Sequence, residues 1–117
     1  MNKRILLVED EWKLRRIAAD FLKRENFNVI EAEDGEEALN FIISQKFDLI
    51  ILDLMLPKIN GWELLKEVRS KDSTIPVIML TARGSEEDIL KGYEMKADEY
   101  IVKPVSMKVL VAKVKAF

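Results

Sequence analysis

Four short groups of polar residues stand at the ends of apolar runs. Glu9-Asp10 follows RILLV (4 to 8), Asp53 follows DLIIL (48 to 52), Thr81-Ala82 follows PVIML (76 to 80), and Lys103-Pro104 follows EYIV (99 to 102). One Asp in such a place is as readily a solvated loop residue or a helix cap as a functional group. Three acids and one lysine at the ends of separate runs are harder to explain that way. Brought together, three ionised carboxylates repel: a pair about 4 Å apart costs roughly 1 kcal/mol in water and about 4 at an intermediate effective dielectric. A divalent cation and the Lys103 ammonium balance that charge, two plus one positive against three negative. A donor set made only of oxygen suits Mg²⁺ and disfavours zinc.

The composition narrows the alternatives. Cysteine and histidine are both absent, which removes disulfides, thiolate and imidazole ligands, and His-based acid/base chemistry. Lys and Arg total 19 against 21 Asp and Glu, a formal net charge of −2, so no basic field is available to hold nucleic acid and direct DNA binding is not expected. At 117 residues and 49% hydrophobic content the chain suffices for one domain with a core, residues 1–117. After Met1-Asn2-Lys3-Arg4 the apolar run Ile5 to Val8 is cut off by Glu9, too short for a signal peptide or a membrane span. The expected compartment is the cytoplasm. There is no low-complexity segment, no linker rich in Pro, Gly or Ser, and no long-period repeat.

The elements that must position these groups follow from the hydrophobic pattern. The runs at 4 to 8, 48 to 52 and 76 to 80 suit strands buried on both faces, and NVIEA (28 to 32) and EYIV (99 to 102) are weaker ones. Between them lie helical stripes: Leu14, Ile17, Ala18, Phe21 and Leu22; Ala38, Leu39, Ile42 and Ile43; Leu64, Leu65 and Val68; Ile89, Leu90 and Tyr93; Leu110, Val111 and Val114. The order (βα)₅ predicts an α/β fold, a doubly wound parallel sheet with right-handed crossovers and helices on both faces. Ligands of such sheets bind at the carboxyl ends of the strands, near the point where strand order reverses. The four polar groups converge there.

The segments ILLVEDE, DLIILDLMLPKING, VIMLTAR and ADEYIVKP together resemble the receiver domain of two-component response regulators over essentially the whole chain. LTAR, the LMLPKING turn and the terminal VLVAKVKAF helix are most similar to the OmpR/PhoB subfamily, whose receivers precede a winged-helix DNA-binding domain. The resemblance implies a flavodoxin-like, CheY-like fold, with Asp53 accepting a phosphoryl group from a sensor histidine kinase. It implies that Asp10 and Asp53 ligate Mg²⁺ directly, Glu9 through a water, and Met55 through its backbone carbonyl. Thr81, the Ala82 amide and Lys103 would hold phosphoryl oxygens. Thr81 and Tyr100 would act as the switch, with the ring turning inward on activation, and Lys103-Pro104 would be a cis peptide. The expected output is a homodimer through the fourth helix, fifth strand and fifth helix. Such a domain turns over no external substrate and catalyses only its own phosphorylation and dephosphorylation.

Two departures from the family stand out. Lys96 stands where Gly usually precedes Ala-Asp, so the end of the fourth helix must tolerate a side chain or close differently. Ile89 and Val109 occupy positions where the subfamily often pairs a basic with an acidic residue across the dimer, whereas Glu99 and Lys113 keep a charged pair available. Trp12 is expected near the pocket mouth or exposed in the first turn of its helix, Trp62 to pack the third helix, and Glu31 to Glu37 to be solvated surface. Among other classes, phosphatases of the haloacid dehalogenase type carry a second acid two residues after the nucleophile, where this chain has Met55. A flavodoxin-like electron carrier needs a phosphate-cradling loop after the first strand, and EDEWKLRR fills that place. A stand-alone receiver, or an interaction module used without phosphorylation, is the remaining alternative.

Overall fold

The computed structural model describes residues 2–117. Strands and helices alternate: β1 (Arg4–Val8), α1 (Trp12–Arg24), β2 (Asn28–Ala32), α2 (Gly35–Ser44), β3 (Leu49–Leu52), α3 (Gly61–Lys71), β4 (Val77–Thr81), α4 (Glu86–Glu94), β5 (Glu99–Val102) and α5 (Met107–Lys115). The strands form one sheet in the order β2-β1-β3-β4-β5, and every neighbouring pair is parallel. From β1 the chain goes first to β2 on one side and then to β3 on the other. Strand order therefore reverses between β1 and β3, where the two carboxyl ends diverge into loops and leave a crevice.

Alternation along the strands divides the core into two layers. Leu6, Val8, Ile50, Leu52, Val77 and Met79 face α2 and α3, meeting Ala38, Ile42, Leu64, Leu65 and Val68. Ile5, Leu7, Leu49, Ile51, Ile78 and Leu80 face α1 and α5, meeting Ala18, Ala19, Leu22, Leu110, Val111 and Val114. The predicted (βα)₅ doubly wound sheet is the observed one, with small shifts. The third strand begins at Leu49 rather than Asp48, and the fourth runs from Val77 to Thr81. Pro76 has no N–H to donate, although its carbonyl accepts from Ile50 N at 3.0 Å. Ile17, Ile43, Leu90 and Tyr93, placed on core stripes by their spacing, are exposed instead. A helix lying on a sheet buries a narrower arc than the pattern spans, and the outer members of each stripe face solvent.

Helix ends explain most of the loops. Side chains of Glu11, Asp34, Asn60, Ser85 and Ser106 accept backbone N–H bonds at the starts of α1 to α5 in turn. Helix α4 closes through Lys96 itself, which takes the left-handed conformation with φ 72°. The Lys96 N–H donates to Tyr93 O and the Ala97 N–H to Gly92 O, both at 3.0 Å. Asn26 ends α1 in the same way with φ 67°. The departure at Lys96 is thus absorbed by a lysine in the left-handed conformation that glycine adopts most readily.

Candidate functional site

The carboxyl ends of β1, β3, β4 and β5 contribute groups to the crevice. Glu9 and Asp10 continue directly from β1. The Glu9 N–H still donates to Ala32 O of β2 at 3.0 Å, so the chain leaves the sheet only at Asp10. Asp53 continues from β3 and its N–H donates to Val8 O at 3.3 Å, which keeps it beside β1. Its Oδ1 accepts the Met55 N–H at 3.0 Å, shaping the loop that follows. Gly61 begins α3 hard against this loop: a Cβ there would lie 2.3 Å from Asp53 O, so the close return of the chain beneath Asp53 requires glycine.

Among the described residues, Glu9, Asp53 and Thr81 are the buried polar ones, while Asp10 is exposed at the rim. One carboxylate oxygen from each of Glu9, Asp10 and Asp53 lies within 4.8 Å of the other two. The Lys103 ammonium bridges two of them, at 2.5 Å from Glu9 Oε1 and 2.7 Å from Asp53 Oδ2. The peptide bond that follows, Lys103-Pro104, is cis as expected. Burial disfavours the Glu9 carboxylate and raises its pKa despite the hydrogen bond from Lys103. Burial works against the Lys103 ammonium as well, but hydrogen bonds to Asp53 and Glu9 prevail and raise its pKa. One ammonium thus serves two acids, and the third is left without it. Three carboxylates and one ammonium leave a formal charge of −2, and the donors are all oxygen, a set that fits a hard divalent cation. A parallel (βα)₅ sheet points every helix N-terminus toward the carboxyl ends of the strands, and the partial positive charge there favours the carboxylates rather than the cation.

On the far side of the crevice, Thr81 is fully buried at the end of β4 and its Oγ1 accepts the Arg83 N–H at 3.3 Å. Ala82 is exposed beside it. The Tyr100 ring is already inward, with its OH donating to Arg83 O at 2.6 Å and its face against Gly92, where a Cβ would come within 2.7 Å of the ring. Met55 and Trp12, each two residues beyond a site acid, are exposed, Trp12 by 61%, at the first position of α1. Trp62 packs against the α3 layer with Lys91 4.5 Å from its ring. A groove of about 430 Å³ opens at the opposite end of the sheet between Ile42, Phe47, Val68 and Ile75, where Lys71 Nζ is occupied by the Ile42 and Ile43 carbonyls.

The structure therefore brings together Glu9, Asp10, Asp53, Thr81 and Lys103, with Met55 and Ala82 adjoining. Sequence reasoning missed Arg15 and Glu31. The Arg15 guanidinium donates to Glu9 O at 2.7 Å and to Glu31 Oε1 at 3.2 Å, so Glu31 is a paired strand residue rather than solvated surface. A cue existed in the sequence: a basic residue near a helix start opposes the helix dipole and needs a local reason.

Comparison with known proteins identifies the family and agrees with the fold. The family described as response regulator receiver domain matches residues 5–115. Transcriptional regulatory protein CpxR of Escherichia coli is 49% identical over 116 residues, 99% of this chain and 49% of that protein. The phosphate regulon regulator PhoB of the same organism is 47% identical over 118 residues, 99% of this chain and 52% of PhoB. The chain spans about half the length of the curated relatives it matches. A CheY-like receiver domain from Methanospirillum hungatei superimposes with a TM-score of 0.94 at 32% identity, covering 99% of this chain and 93% of that one. The beryllofluoride-activated DrrB receiver domain superimposes with a TM-score of 0.92 at 31% identity, covering 99% and 97%.

Proposed function

The chain belongs to the response regulator receiver domain family, and from that premise we propose that it is a signalling switch set by phosphoryl transfer to Asp53. The observation that carries the reading is the Lys103 bridge: the buried Asp53 carboxylate is held at 2.7 Å from an ammonium and beside two further acids. An ionised carboxylate is already a nucleophile, so no histidine is needed in this chain. Asp53 attacks phosphorus, the bond to the donor breaks, and its electron pair leaves with the donor, a phosphohistidine of a sensor kinase or a small acyl phosphate. Asp10, Asp53 and the Met55 carbonyl would hold Mg²⁺, with Glu9 acting through water, and the ion would supply positive charge for the phosphoryl oxygens. Lys103, the Thr81 hydroxyl and the Ala82 amide hold the remaining oxygens, and this fixed charge is the main catalytic contribution available. Lys103 must then turn from Asp53 toward the transferred group.

Output is assigned to α4, β5 and α5. Thr81 shifts from the Arg83 N–H toward the phosphoryl group, and the buried Tyr100 ring locks the loop through Arg83 O. The changed face pairs with a second copy and controls a DNA-binding output domain; a transcriptional output is what the names of the transcriptional regulators among the relatives support. Incubation with acetyl phosphate and Mg²⁺ should add one phosphoryl group by intact mass, and Asp53→Ala should abolish it. Undiminished incorporation in Asp53→Ala refutes the assignment.

A further inference from the structure

We propose that Arg15 is a positioning residue for the acid pair and that Glu31 is the counter-ion that aims it. The inference rests on the metal-binding reading of the site and names what holds that site in shape. The Glu9 backbone is gripped on both sides: its N–H donates to Ala32 O at 3.0 Å, and its carbonyl accepts from Arg15 Nη1 at 2.7 Å. Because the peptide group is planar, holding the Glu9 carbonyl also sets the nitrogen and Cα of Asp10. Asp10 is the exposed member of the acid set, so its direction depends on this backbone more than on packing. Arg15 is itself held. Its Nε donates to Glu31 Oε1 at 3.2 Å, and the two side chains are only 12% and 20% exposed. Lys23 stands 4.0 Å from the other Glu31 oxygen and supplies a second positive charge. Glu31 lies on edge strand β2 one residue before Ala32, so the same strand holds the Glu9 N–H directly and the Glu9 carbonyl through Arg15. The planar guanidinium reaches both acceptors at once, which a lysine ammonium on a flexible stem does less well.

The test measures Mg²⁺ affinity and amide exchange at Asp10 and Glu11 in the metal-free protein, for the parent, Arg15→Met, Arg15→Lys, Glu31→Gln, Asp10→Asn and Arg69→Met. Arg69 is the control, since it is also 12% exposed and donates to backbone carbonyls, but those of Lys96 and Ile75 beyond the opposite end of the strands. Partners one shell removed from a metal are worth 10 to 100-fold in affinity, so Arg15→Met, acting through the backbone, is expected to weaken Mg²⁺ binding about tenfold. Arg15→Lys and Glu31→Gln, which each keep one of the two contacts, are expected to weaken it by roughly threefold. Exchange at Asp10 and Glu11 accelerates in step, and phosphorylation by acetyl phosphate recovers at saturating Mg²⁺. Arg69→Met loses stability and keeps its Mg²⁺ affinity. Folded Arg15→Met that binds Mg²⁺ like the parent overturns the proposal, as does an equal loss in Arg69→Met. If Arg15→Met does not fold, unchanged affinity in both Arg15→Lys and Glu31→Gln overturns it. Asp10→Asn separates the two levels: if it binds Mg²⁺ as tightly as the parent, the metal reading fails and the role of Arg15 fails with it.

Discussion

At the scale of single residues, the site is a problem of charge. Lys103 neutralises part of a cluster that would otherwise hold three adjacent negative charges, and it also repels any cation placed among them. Replacing it should therefore separate two properties usually lost together. In Lys103→Met the Mg²⁺ affinity is expected to rise about tenfold, since removing one like charge a few ångströms away is worth on the order of 1 kcal/mol even at the dielectric of water. Phosphorylation by acetyl phosphate should fall in the same variant, because a fixed positive charge on the phosphoryl oxygens is gone. Calorimetric Mg²⁺ titration and intact mass read the two effects, and a parallel loss of both contradicts the assigned role. Glu9, Asp10, Asp53, Thr81 and Lys103 were legible in the sequence because each directly follows a strand signal or ends one. Arg15 was legible only as a basic residue near a helix start and Glu31 not at all, because the contacts that give them a role, to a backbone carbonyl and between α1 and β2, are ones that only folding brings near.

At the scale of elements, the caps make two predictions. Lys96 holds φ 72°, a conformation that costs an L-residue about 1 to 2 kcal/mol and glycine almost nothing beyond its greater unfolded-state entropy. Lys96→Gly should accordingly stabilise the domain by up to about 1 kcal/mol in urea, with unchanged phosphorylation. A loss of stability would mean that the lysine side chain makes a compensating contact. Asp34, Asp72 and Asp88 have pKa values below the ordinary 3.8, led respectively by hydrogen bonds from the Glu37 N–H, the Thr74 N–H and the Ser85 hydroxyl. Their folded pKa lies below the unfolded one, so the stability they contribute is present above 3.8 and lost as pH falls through the lowered values. Melting temperature should fall in that acid range, and Asp88→Asn should flatten the fall. The helices were readable from their periodicity, yet the exposure of Ile17, Ile43 and Leu90 was not. Periodicity names a face, and the curvature of the surface it meets decides how much of that face is covered.

At the scale of the whole molecule, the question is what the α4-β5-α5 face does after activation. Leu90, Tyr93, Val102 and Val109 are exposed large hydrophobic residues of these elements, and Ile89 is partly buried against the core. Lys113 lies 3.6 Å from Glu99 within the same chain, so this pair is already satisfied and an intersubunit version would have to exchange partners. Dimerisation driven by beryllofluoride and Mg²⁺ is therefore expected to depend on apolar burial and to change little between low and high salt, since salt screens exposed ion pairs and not hydrophobic contact. Light scattering across a salt series tests this, and Ile89→Glu should keep the activated protein monomeric. A monomeric activated parent, or an Ile89→Glu variant that dimerises equally well, refutes the interface. The sequence by itself determined the (βα)₅ order, the sheet buried on both faces and the acid-lysine set, because hydrophobic period and strand-end position are local properties of the chain. Tertiary structure alone decided that Lys103 bridges Glu9 and Asp53, that Tyr100 lies inward on Arg83, and that Arg15 grips the Glu9 carbonyl. Each joins groups from different elements, and such distances are set by how helices pack across a twisted sheet, which no stretch of sequence encodes alone.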